Sequence, residues 1–73
     1  MVNTQMLDDK ITESGLKKGF IVEKLGISRQ AFDKKKKNVY CFRGAEVYVL
    51  CDLLNIQDDE KEKIFFAQNV EQQ

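Results

Sequence analysis

Leu16–Phe32 reads LKKGFIVEKLGISRQAF, and the Gly26-Ile27-Ser28 step inside it decides the fold. Upstream of that step, Ile21 and Leu25 stand four residues apart, which predicts a short helix from about Lys18 to Leu25 with Val22 against a neighbour. Gly26 stops the helix, because the residue just past a helix end often needs a positive φ, which glycine adopts without a Cβ penalty. Ile27 is then a core-facing aliphatic, and Ser28 caps a third helix by accepting from its free N–H groups. That helix is expected from Arg29 to Lys36 or Lys37, with Ala31 and Phe32 as its apolar side. A three- or four-residue turn between helices, opened by glycine, is the helix-turn-helix connection.

The flanks extend the same grammar. Asn3 or Thr4 can cap a first helix from about Gln5 to Ser14, with Leu7 and Ile11 on one face and Asp8 and Asp9 at its positive end. Gly15 ends it and Leu16 turns inward. Beyond the third helix, Asn38 tolerates the left-handed conformation and is a reasonable terminator. Val39, Tyr40 and Phe42, in an irregular stretch to Arg43, are expected to cover helix ends. A fourth helix, about Ala45 to Leu54, carries the clearest stripe: Val47, Leu50, Cys51 and Leu54. Asn55 closes it, and Ile56 tucks inward. Asp58 is expected to cap a fifth helix reaching about Asn69, with Ile64 and Phe65 as its apolar side, after which Val70 to Gln73 frays. With no proline and no low-complexity linker, residues 1–73 read as one all-α, five-helix domain.

Composition narrows the function. Seventy-three residues make one domain with a thin core. Cys41 and Cys51 form no CxxC pair and read as free thiols. No stretch approaches the roughly 18 apolar residues of a membrane span, and a cytoplasmic protein is expected. Histidine is absent, and neither a metal-ligand pattern nor a glycine-rich phosphate loop is apparent, so no cofactor or metal is expected and an enzyme is the weakest option. The formal charge is zero, but its distribution is uneven. From Lys17 to Arg43 there are nine basic residues and two acidic ones, a net of +7, while the remainder carries −7. A cationic segment folded into so small a domain points to a polyanionic partner.

Leu16–Phe32, together with FRGAEVYVLCDLLNI from Phe42 to Ile56, resembles the lambda-type repressor and Cro class of helix-turn-helix regulators, especially small phage-encoded versions. The likeness covers about Leu7 to Phe66 and implies a compact five-helix lambda-repressor-like domain that binds double-stranded DNA, commonly as a dimer on two-fold-related half-sites. It places Lys18 on a backbone phosphate, Arg29 and Gln30 at base edges with Asp33 and Lys34 one turn later, and Lys37 and Asn38 on phosphates beyond the helix end. The chain departs from the family pattern at Val22, where a small alanine is usual, at Asn38, where glycine is usual, and at Arg43, where threonine or serine would cap the fourth helix. It also lacks the usual leucine or tryptophan within Lys34–Lys37.

Residue chemistry fits those roles. Arg29 can contact guanine O6 and N7 bidentately, and Gln30 can do the same to adenine N6 and N7. Lys17, Lys18, Lys34, Lys35, Lys37 and Arg43 are candidates to release counterions from phosphates, with Ser28 at the N-terminus of the third helix. Asp33 is expected to pair with Lys37 four residues along, the alternatives being a pairing with Arg29, acceptance from cytosine N4, or repulsion of phosphate. Lys35 or Lys36 is expected to lay its methylenes on Phe32. Ile64, Phe65 and Phe66 are consecutive and cannot all face inward, so one of them is a candidate dimer contact. The competing function is a helix-turn-helix scaffold that binds a protein partner, such as an antirepressor or inactive regulator, through the acidic remainder. The DNA reading requires Arg29 and Gln30 outside the fold, with the lysine run on one face.

Overall fold

Three helix ends in this protein share one device: a left-handed residue followed by a β-branched aliphatic. In the computed structural model, which describes residues 1–67, the chain forms α1 (Thr4–Ser14), α2 (Lys18–Leu25), α3 (Arg29–Lys36), α4 (Gly44–Leu54) and α5 (Asp58–Phe65). Gly26, Asn38 and Asn55 take φ of 73°, 67° and 55° at the ends of α2, α3 and α4. The next residue then donates backward, Ile27 N–H to Val22 O, Val39 N–H to Lys34 O and Ile56 N–H to Cys51 O, satisfying carbonyls the helix would leave free.

Helix starts follow equally local chemistry. Asn3 accepts from Met6 N–H at α1 and Ser28 from Ala31 N–H at α3. Arg43 has no acceptor on its side chain, so at α4 the cap runs in reverse, with the Glu46 carboxylate accepting from Arg43 N–H at 2.9 Å. At α5 the cap is Gln57 and Asp58 is already the first helical residue, one position earlier than expected. The helix also ends sooner, at Phe65, since Phe66 leaves the helical region with φ −125°. Asn69 lies outside the described residues.

Each helix contributes one fully buried side chain to a shared centre: Leu7, Ile21, Phe32, Leu50 and Ile64. Val22, Val47, Leu54, Ile56 and Phe65 complete that core, so Val22 fills the room a smaller residue would leave between α2 and its neighbours. Phe42 is the only residue of the α3–α4 loop to reach the core, edge-on to Phe32 at 6.0 Å and to Phe65 at 5.8 Å. Val39 and Tyr40 do not cover helix ends; both are exposed. Truncating Phe32 at this junction would cost about 3–5 kcal/mol.

The core also holds a residue from outside any helix. Val2 is 5% exposed. Its backbone N–H donates to Asn38 Oδ1 at 2.6 Å and its carbonyl accepts from Asn38 Nδ2 at 3.0 Å, so one side-chain amide pairs with Val2 as a neighbouring strand would. Asn3 N–H to Ile64 O (2.7 Å) and Ala67 N–H to Met1 O (2.9 Å) fasten the other side. The first three residues thus tie the end of α5 to the loop after α3. No described helix is long and apolar enough to cross a membrane, and both cysteines are free.

Candidate nucleic-acid interface

The direction of every α3 side chain follows from the one that is buried. Each residue advances about 100° round a helix, so with Phe32 pointing in, Gln30, Asp33, Lys34 and Lys37 line the opposite side at i, i+3, i+4 and i+7. Gln30, Lys34 and Lys37 are exposed and Asp33 is half-buried. Lys35 and Lys36 instead flank Phe32 and run to different neighbours. Lys35 donates to both carboxylate oxygens of Glu46 on α4, at 2.7 and 2.8 Å. Lys36 reaches Asp8 on α1 at 2.6 Å, its ammonium 5.7 Å from the Phe32 ring centre.

The four lysines are therefore not one ridge, and the expectation that Lys35 grips a phosphate is corrected. Its side chain and that of Glu46 are only 12% and 10% exposed, and its ammonium is engaged inside the fold. Burial pushes the Glu46 carboxyl up, but the Lys35 ammonium and the Arg43 N–H outweigh it and hold the group below its ordinary range.

Asp33 also has a different partner from the one expected. Lys18 on α2 reaches its carboxylate at 2.8 Å, whereas no bond to Lys37 forms. The cause is tertiary: α2 packs against α3, and Asp33 lies on the α2-facing edge of the outward stripe. The hydrogen bond from Lys18 is the main reason Asp33 sits below the usual carboxylate range, Lys36 and Lys37 adding longer-range attraction. Lys18 is thereby partly engaged. Asn38 is committed more fully, because both atoms of its side-chain amide are bound to Val2. It is a clamp on the N-terminal segment, a role no local pattern signals, and not a free phosphate ligand. Ser28 serves as the expected cap, accepting from Ala31 N–H at 3.0 Å.

Arg29 and Gln30 are both exposed, as the DNA reading requires. They do not point the same way. Gln30 stands on the outward stripe, while the Arg29 guanidinium lies across Gly19 on α2: a Cβ at that glycine would be 2.7 Å from Arg29 Nη2.

Pairing sharpens the charge pattern. Among the described residues, Lys17, Lys24, Arg29, Lys34, Lys37 and Arg43 make no ion pair. Set against Glu23, they leave the segment with +5 of its formal +7. Two exposed aromatics sit among these cations, Phe20 under the Lys24 ammonium (5.3 Å) and Tyr40 under that of Lys34 (5.6 Å). Lys17 begins α2 without a side-chain cap, so N–H groups of its first turn have no side-chain acceptor.

At the other end of the chain, Ile64 and Phe65 are core residues and are corrected as dimer contacts, while Phe66 is 56% exposed. With Tyr48, Cys51, Asp52, Ile56 and Lys61 it borders a shallow groove between α4 and α5. Burial pushes the Cys51 thiol there above its ordinary value. Among the described residues, no cluster of three or more His, Cys, Asp or Glu side chains gathers as metal ligands. No protein-family model, curated protein or solved structure matches the chain.

Proposed function

We propose that the protein is a sequence-specific, double-stranded-DNA-binding transcriptional regulator of the lambda-repressor and Cro-like type, a phage-type repressor whose α2–turn–α3 unit is a helix-turn-helix. The observation that carries this reading is the outward stripe of α3, where an amide donor–acceptor and two unpaired lysines stand at one-face spacing. Such a helix suits a major groove about 12 Å wide. Gln30 offers the bidentate geometry that reads adenine, and Lys34 offers a donor for guanine acceptors or phosphate. Lys37 at the end of the stripe, with Lys17 and Arg43 at the starts of α2 and α4, would contact phosphates, and the uncapped start of α2 adds backbone N–H donors. Pairing with Lys18 removes the penalty that an unpaired Asp33 would impose beside phosphates.

A homodimer would set two such helices about 34 Å apart, one turn of B-DNA. Phe66 is the residue of the C-terminal trio free to join such a contact. A protein-binding scaffold is the second reading, favoured by the exposed Tyr48 and Phe66 beside Asp52 and Asp58. Selection of bound sequences from a random duplex pool, repeated at two salt concentrations, separates them. DNA readout predicts an enriched motif, two-fold if dimeric, that is relaxed at one position by Gln30→Ala. Recovery of no motif, with binding that Gln30→Ala leaves untouched, refutes it.

A further inference from the structure

Arg29 is the strongest base-reading candidate by residue type, yet its place in the fold points elsewhere. Three residues before Phe32, it falls about 60° round α3 from the buried direction, whereas Gln30 falls about 160° away. Its guanidinium crosses to α2 and covers Gly19, where any side chain would collide with Nη2. Asp33 leans to the same side and meets Lys18, the preceding residue of α2. The two adjacent contacts mark one seam between the helices, and Arg29 lies in it over Gly19, the residue that follows Lys17 and Lys18 in the chain.

We infer that Arg29 contacts the DNA backbone and not a base edge, and that Gly19 assigns it there by leaving room for the guanidinium against α2. This rests on the DNA reading above. A guanidinium in the seam presents its fork to one strand's phosphates while Gln30 and Lys34 occupy the groove. Base discrimination then comes from the outward stripe alone, and Arg29 contributes affinity that is indifferent to sequence.

The test uses the full chain and the duplex motif enriched in the random-pool selection. For Arg29→Ala, the expected result is weaker binding to motif and scrambled duplexes by the same factor, with the selected motif unchanged. The salt slope falls by about 0.9, so the loss of affinity between about 50 and 200 mM salt becomes roughly 3.5-fold smaller. Gly19 has no positive φ and what a methyl group meets is the far end of a flexible side chain, so Gly19→Ala folds while evicting the guanidinium. It is expected to reproduce the Arg29→Ala slope, and the double variant to add nothing further. If Arg29→Ala instead relaxes a single guanine position, or if the two substitutions add independently, the inference is overturned while the DNA reading survives. If the unsubstituted protein shows no salt-sensitive duplex binding, both fall together.

Discussion

Lys34 and Lys37 differ from Lys35 and Lys36 chiefly in their angle round the axis of α3, and that angle separates a solvent-exposed face from a structural joint. The outer pair is exposed to solvent and makes no ion pair among the described residues, which leaves both ammonium groups available to a polyanion. The inner pair is anchored to Glu46 and Asp8, bonding α3 to α4 and α1 across the edges of Phe32. A run of identical charges is thus no guide to function until the buried direction of its helix is known. Two inward lysines also explain how α3 stays seated with one large apolar residue: their stems take the place of the missing aliphatic, and their heads find carboxylates.

Of the two pairs, breaking the inner one should have the larger effect on stability. Lys35→Ala leaves a nearly buried Glu46 without its principal partner, at a cost of about 1–3 kcal/mol, and a 73-residue domain loses about 4–8 °C of Tm per kcal/mol. Lys37→Ala should stay within about 0.5 kcal/mol. Thermal unfolding of the two variants side by side decides the matter, and equal Tm values would erase the distinction.

DNA binding should invert the order. Lys34→Gln with Lys37→Gln is expected to lower the salt slope by up to about 1.8, if each lysine meets one phosphate. Lys35→Gln, assayed well below its Tm, should leave the slope alone. A filter or fluorescence titration at several salt concentrations reads this directly.

Acid should weaken the ion-paired carboxylates, one of which belongs to the inner joint. Glu46, Glu60 and Asp33 are all held below their ordinary values in the folded chain. The unfolded chain therefore binds more protons in that range, and stability present above about pH 4.3 is lost as pH falls through the folded values. Denaturant midpoints between about pH 5 and 3 should decline in the parent, and less steeply in Glu46→Gln. An unchanged slope would remove Glu46 from the account. Asp8→Asn should cost less than Lys35→Ala, since Asp8 is 45% exposed and such pairs contribute about 0.2–1 kcal/mol.

Legibility followed the range of the interaction. The Asn3 and Ser28 caps, the left-handed stops at Gly15, Gly26, Asn38 and Asn55, and the stripe Val47–Leu50–Leu54 each depend on a few neighbouring residues and can be read in order along the chain. Lys18–Asp33 spans 15 residues and Val2–Asn38 spans 36, and neither has a periodicity or turn chemistry to announce it. Val39 shows the boundary well. It follows a left-handed asparagine as Ile56 does and makes the same backward hydrogen bond, yet it is 62% exposed where Ile56 is 7%. Local geometry placed both, and only the surrounding helices determined which was covered.

Sequence alone determined where α1 to α4 begin and end to within a residue, because capping and φ preferences are settled within one turn, but it did not set the end of α5. It also concentrated positive charge between Lys17 and Arg43. Tertiary structure decided which of those cations remain available, since a charge's role depends on what the packed neighbours bring within about 3 Å of it. Lys35, Lys36 and Asn38 became joints, Lys34 and Lys37 remained a surface, and Arg29 came to rest on Gly19.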